Sequence, residues 1–232
     1  MRIRVRFEKQ GISRFMGHLD VMRYFQKLNR RAGLDMKYSA GFSPHQEMSF
    51  ATPLGLGILS RAEYVDIEMN SLPPCAELIE RMNAVSIPEI RVNDAVLLPD
   101  GVKNAMSLLA AADYRLTFRE GKEPEDPAAF IDEILAFLSS ESIVVLKETK
   151  KSSRLTDIRK EIRSASREGS ALLMTLDTGS ASNLKPELVL KSFFESRGEA
   201  FDPFLFETER TELYGEEDGK LVRLIDYGTH WE

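Results

Sequence analysis

Residues 2–33 read RIRVRFEKQGISRFMGHLDVMRYFQKLNRRAG, a strand signal that runs straight into a helix signal. From Arg2 to Phe7 cations alternate with Ile3, Val5 and Phe7, the period-2 pattern of a strand with one buried face. Gln10-Gly11 makes a turn. Leu19, Met22, Phe25, Leu28 and Ala32 then recur at helical spacing, and Gly33 stands where a left-handed C-cap stops a helix. Outward from this unit, Gln46 to Pro53 and Glu63 to Met69 are expected strands, with Tyr64, Val65 and Ile67 in the second. Pro73-Pro74 opens a helix through about Val85, and Ile90 to Leu98 is a last strand. The order βαββαβ is the split βαβ of ferredoxin-like domains.

The second half repeats it. Tyr114 to Arg119 is a strand, and Asp126-Pro127 opens a helix carrying Phe130, Ile134, Phe137 and Leu138. Ser142 to Lys147 is a β-branched strand. Ile158 to Ser166 and Ala171 to Asp177 form a hairpin that turns at Glu168-Gly169-Ser170. Pro186 starts a helix through Phe194, Pro203 to Leu213 closes the set, and Lys220 to Ile225 follows a turn at Glu216–Gly219. The expectation is an α+β protein of two ferredoxin-like halves, the second elaborated with an extra hairpin. Residues 1–102 form the first domain and 111–232 the second, with a linker near 100–111.

At 232 residues, 43% hydrophobic and 29% charged, the chain has the composition of a globular protein. No apolar run approaches the roughly 18 residues that span a bilayer, so no membrane partner is expected. The charged, alternating start is unlike a secretory signal. A lone cysteine, Cys75, excludes a disulfide framework and fits a reducing cytoplasm. It also excludes a self-contained cysteine-ligated iron–sulfur cluster, and no cofactor of the chain's own is expected.

Net charge is −6, unevenly spread. Residues 1–45 carry ten Lys and Arg against three acids, a local charge of +7, which leaves −13 for the other 187 residues. A second basic island at 147–167 holds eight cations and three acids. Separated charge of this kind is the footprint of a polyanion site, weighed against a merely solvated basic face.

On the first helix Arg23, Lys27 and Arg30 or Arg31 share a face opposite Phe25 and Leu28. With Arg14 and Lys37 they make the candidate polyanion-binding set, extended by Arg2, Arg4 and Arg6 if the polar face of the first strand is open. Tyr38 and Phe42 lie among these cations, and exposed aromatics there would stack on unpaired bases. His18-x-Asp20 and His45-x-Glu47 admit three uses. Brought together, the four would suit a divalent metal, a weak alternative to caps and turns at His18, Asp20 and His45. Otherwise His18 and His45 are loop contacts, and Asp20, ionised among arginines, is a candidate nucleophile or proton acceptor. Gly41 is expected at positive φ, and Pro53-Leu54-Gly55-Leu56-Gly57 lacks the pattern of a nucleotide-binding loop and reads as a sharp turn.

Arg14-Phe15, Gly17-His18-Leu19-Asp20, Arg23, Arg30-Arg31-Ala32, Tyr38-Ser39-x-Gly41-Phe42-Ser43-Pro44-His45, Ser49-Phe50-Ala51-x-Pro53-Leu54 and Glu63-Tyr64-x-Asp66 resemble the radical-SAM-associated domain family, a domain of unknown function. Asp157-Ile158-Arg159 and Lys185-Pro186-Glu187 with Val189-Leu190 resemble its later motifs, and Gly17 stands where serine is common. That family occurs fused to radical SAM proteins or encoded beside one, so the resemblance implies a radical SAM protein as partner. The absence of a Cys-x-x-x-Cys-x-x-Cys motif says this chain is not the radical enzyme. Charge and resemblance together lead to an accessory protein that binds RNA and presents it to that enzyme. The alternatives are an RNA-modifying enzyme with pseudouridine-synthase-like chemistry at Asp20, on fold-level analogy alone, and a protein-binding adaptor without RNA.

Overall fold

In the computed structural model, which describes residues 1–148, 153–180 and 182–232, strand β1 (Arg2–Lys9) alternates as its sequence requires. Ile3, Val5 and Phe7 are buried in a cluster with Phe25 and Leu28 of helix α1 (His18–Arg31). Between them lies a 3-10 turn, Gly11–Phe15. Gly33, at φ +65°, ends α1, a conformation in which a side chain is strained. After α1 come β2 (Met48–Phe50), β3 (Leu59–Glu68), α2 (Cys75–Ala84) and β4 (Ile90–Leu97). β1 pairs antiparallel with both β3 and β4, and β2 pairs antiparallel with β3. The resulting order β4-β1-β3-β2 is that of the split βαβ unit.

A short helix α3 (Ala105–Leu108) leads to β5 (Leu109–Phe118), α4 (Pro127–Leu138), β6 (Val144–Glu148), β7 (Ser153–Asp157), β8 (Ile162–Glu168), β9 (Ala171–Asp177), α5 (Pro186–Ser196), β10 (Phe206–Glu217) and β11 (Lys220–Arg223). β5, β9 and β8 are adjacent in that order, and both pairings are antiparallel. Asp126 caps α4 by accepting from the Ala129 N–H at 3.0 Å, and Pro127 opens the helix, as its sequence predicts. Phe130 and Phe193 meet edge-on, with centroids 5.8 Å apart. The architecture is α+β.

Two details differ from expectation. The strand at Val144–Glu148 does not join the sheet. Among the described residues it pairs only with β7, with Val145 buried and Val144, Leu146 and the facing Leu155 exposed. The second difference is the ownership of the C-terminal segment. The chain divides into two compact units, Met1–Ala110 with Arg210–Glu232, and Ala111–Glu209. Residues 210–232, expected in the second half, belong to the first unit. Arg210 and Glu212 on β10 supply partners to Glu63 and Tyr64 on β3, and the tail returns to β4 through Thr229 O, 2.8 Å from the Leu97 N–H.

That return is close. A Cβ on Gly228 would lie 2.6 Å from Val96 Cγ2 and 2.7 Å from Leu97 O, and a backbone carbonyl has little room to yield. Gly228→Ala is expected to destabilise the protein by about 1–3 kcal/mol, read as a lower urea midpoint at unchanged slope. No helix of the described residues is long and apolar enough to cross a membrane.

Candidate functional site

The polar face of β1 is the first point at which the structure corrects expectation. It is not an open cationic surface. Arg4 is 0% exposed and bonds Asp66 in bidentate fashion, Nε to Oδ1 at 2.7 Å and a terminal nitrogen to Oδ2 at 2.9 Å. Its other donors reach Leu224 O at 2.8 Å and Lys103 O at 3.3 Å, while the Ala105 N–H donates to Asp66 Oδ2 at 2.8 Å. Arg6 donates to Glu212, which also accepts from the Tyr64 hydroxyl at 2.6 Å. Burial, and then the Glu212 charge, push the Tyr64 phenol far up, so it stays protonated as a donor. Arg2 is bonded to Val102 O. The carboxylates of Glu63-Tyr64-x-Asp66 are therefore structural: Asp66 holds Arg4, and Glu63 holds Arg210 at 2.9 and 2.5 Å.

The face of α1 matches its expected pattern in its cations and departs from it in one apolar residue. Val21, Phe25, Leu28 and Ala32 are buried. Leu19 is 63% exposed, because Val21, two residues on, takes the inward position. Arg23, Lys27, Arg30 and Arg31 all lie on the exposed side. Among the described residues neither Lys27 nor Arg31 meets a carboxylate, and Arg30 bonds its own helix at Gln26 O. Asp20, 61% exposed in its side chain, lies 3.5 Å from Arg23, an exposed contact worth little.

Two expected members stand apart. Lys37 is held by Glu68 at 2.7 Å and Glu47 at 2.9 Å, and hydrogen bonds to Glu68 first and Glu47 second raise its pKa. Its charge is spent within the fold. Arg14 belongs to the 3-10 turn, half-buried, with its guanidinium 5.7 Å from the exposed Phe15 ring.

The loop 38–46 lies beside α1. Gln46 donates to Gln26 O at 3.1 Å and accepts from Asn29 Nδ2 at 3.1 Å. Tyr38 is exposed, and Phe42 at the loop tip is fully exposed. Gly41 precedes it at φ +111°. His45 closes the loop on Ser39, Nδ1 to Oγ at 2.8 Å. The loop thus holds an uncovered phenylalanine at its tip while its base is bonded to the helix that carries the cations.

The metal alternative is not assembled. His18 packs edge-on against Phe50 at 5.6 Å, His45 is bonded to Ser39, and Glu47 is taken by Lys37. Among the described residues no group of three His, Cys, Asp or Glu side chains could hold a metal ion. In the second basic island, residues 149–152 and the side chains of Lys147, Glu148 and Ser153 lie outside what is described. Arg163 bonds Asp177, Arg167 bonds Asp132, and Arg159 bonds Ser140 O and Ile162 O.

Sequence reasoning missed Lys9. Lys9 follows Ile3, Val5 and Phe7 on the buried face of β1, past a bulge that shifts the pairing with β3, and ends 2% exposed in a cavity of about 20 Å³. Its walls include Phe7, Met16, His18, Val21 and Phe50. Lys9 Nζ donates to Met16 O at 2.8 Å. Burial lowers its pKa from the ordinary 10.5; Glu63 opposes the shift and the Arg210 charge adds to it. Between the lowered value and 10.5 the unfolded chain binds a proton that the folded one does not, so this group makes stability rise with pH. Lys9→Met is expected to remove that rise, measured as the difference between urea midpoints at pH 7 and pH 10.

A family profile matches residues 2–186, described as "Uncharacterized protein conserved in bacteria (DUF2344)". The chain belongs to this family. The match covers α1, the Phe42 loop, Lys9 and Asp66, and stops short of Arg210 and Glu212. No curated protein matches the chain significantly. Among solved structures, a chain in the crystal structure of a Cbf5-Nop10-Gar1 complex aligns at 10% identity over 93% of this chain, with a TM-score of 0.46. The chain spans about half the length of that one, and a likeness at this level carries no argument about function.

Proposed function

We propose that the chain is an RNA-binding accessory protein, gripping phosphates along the exposed row Arg23, Lys27, Arg30 and Arg31 and stacking unpaired bases on Phe42 and Tyr38. The observation that carries this reading is the placement of a fully exposed phenylalanine in a loop bonded to the same helix that exposes four cations. Exposed cations release counterions when they meet phosphate, and a bare ring in the adjoining loop adds sequence-tolerant affinity. Phe15, with Arg14 over its ring, would extend the track at the start of α1. The client is a radical SAM enzyme, a reading that rests on the motif resemblance of residues 14–66. In this role the chain holds substrate while the partner performs the chemistry.

The test is binding of a uridine-rich stem-loop RNA by the purified chain across a salt series. Affinity should fall linearly on a log–log plot, and Phe42→Ala should cost about 1–3 kcal/mol of binding while leaving the urea midpoint unchanged. Salt-insensitive binding, or binding that ignores Phe42→Ala, would count against the reading.

A further inference from the structure

We infer that Lys9 is a nucleophilic amine that condenses with a small aldehyde in the cavity beside His18, a site separate from the α1 face and independent of the RNA reading. Its surroundings are those that activate a lysine. The walls Phe7, Val21, Phe50 and Leu54 give it little solvation. The nearest carboxylate on the cavity wall, Glu63, is held by both oxygens to Arg210, so it is poorly placed to fix a second cation. Met16 O is the one acceptor that the described residues give Lys9 Nζ, which leaves two of an ammonium's three donors without a protein acceptor at a cavity with room for about one water. A buried structural lysine is normally paired; this one stands in a desolvated pocket near a second cation, the setting in which lysines form imines. The direction of its pKa, lowered by burial and by Arg210 against Glu63, agrees.

The step balances without a redox partner. The nitrogen lone pair attacks the carbonyl carbon, the C–O π pair moves to oxygen, and the nitrogen sheds a proton to give a carbinolamine. That oxygen leaves as water with a proton, and a C=N bond to Lys9 remains. In this proposal His18, half-buried on the same cavity wall, carries those protons. The size of the space limits the reactive end of the ligand to an aldehyde carbon bearing little beyond hydrogen.

The test treats the intact protein with formaldehyde and cyanoborohydride at pH 7 and maps methylated lysines by mass spectrometry over time. Lys9 should label faster than exposed Lys27 and Lys191, because only the neutral amine reacts and a lowered pKa raises that fraction. Its rate should also level off at lower pH than theirs. Labelling of Lys9 at the rate of the exposed lysines or slower, or no labelling of it, would overturn the proposal.

Discussion

Changing Arg23, Lys27 and Arg31 together to glutamate is expected to weaken binding of a stem-loop RNA by at least about a hundredfold at 0.1 M salt. The slope of log affinity against log salt should become shallower by about three, one for each lost phosphate contact. The three side chains lie on the exposed side of α1, and the one ion pair among them, Arg23 with Asp20, is exposed at 3.5 Å. The fold should therefore be nearly indifferent, with the urea midpoint moved by no more than a surface substitution allows, about 0.5 kcal/mol. The comparison variant is Lys37→Glu. Lys37 already satisfies Glu47 and Glu68, so its loss should tell on stability more than on RNA affinity. Equal losses of affinity at Lys37 and at the α1 row would mean that net charge alone, and no particular face, does the binding.

The second large effect is on stability. Removing either partner of the Arg4–Asp66 pair, by Arg4→Met or Asp66→Ala, is expected to cost about 3–5 kcal/mol, because the remaining charge stays buried and unpaired. The pair is enclosed, bidentate, and tied by backbone groups at Leu224 and at Lys103 and Ala105 to two further segments of the same unit. The double variant Arg4→Met/Asp66→Leu should recover a large part of the loss, since an apolar pair leaves no orphaned charge. Single losses below about 1 kcal/mol in urea unfolding would show that water reaches the pair in solution.

The helix α1 and its cationic row were legible because both depend on local periodicity. Once Phe25 and Leu28 are inside, geometry places Arg23, Lys27 and Arg31 outside. The split βαβ order of the first unit was legible for the same reason. Arg4 and Arg6 were misread because a strand's polar face can meet either solvent or another polar face, and a single strand does not say which. A signal was present in β3, whose Tyr64 and Asp66 lie in register with Arg6 and Arg4. Glu212, the other partner of Arg6, is some 200 residues away in sequence. Lys9 was illegible for a different reason. Its alternation with Ile3, Val5 and Phe7 puts it on the buried face, but one strand gives no sign of the cavity, which is assembled from β1, α1, β2, the segment after β2 and Glu63 of β3. The apparent charge of +7 over residues 1–45 was misleading in the same way: Arg4, Arg6 and Lys37 are answered by acids from beyond residue 45.

The central claim is that RNA meets the chain along α1 and the Phe42 loop. It is tested most directly by ultraviolet cross-linking of a uridine-rich stem-loop RNA to the purified protein, with the cross-linked residues mapped by mass spectrometry. The account predicts cross-links at Phe42 and Tyr38, with Phe15 next, all lost in the Arg23/Lys27/Arg31 glutamate variant. Cross-links confined to residues outside 14–45, or none at concentrations where the RNA is retained, would contradict it.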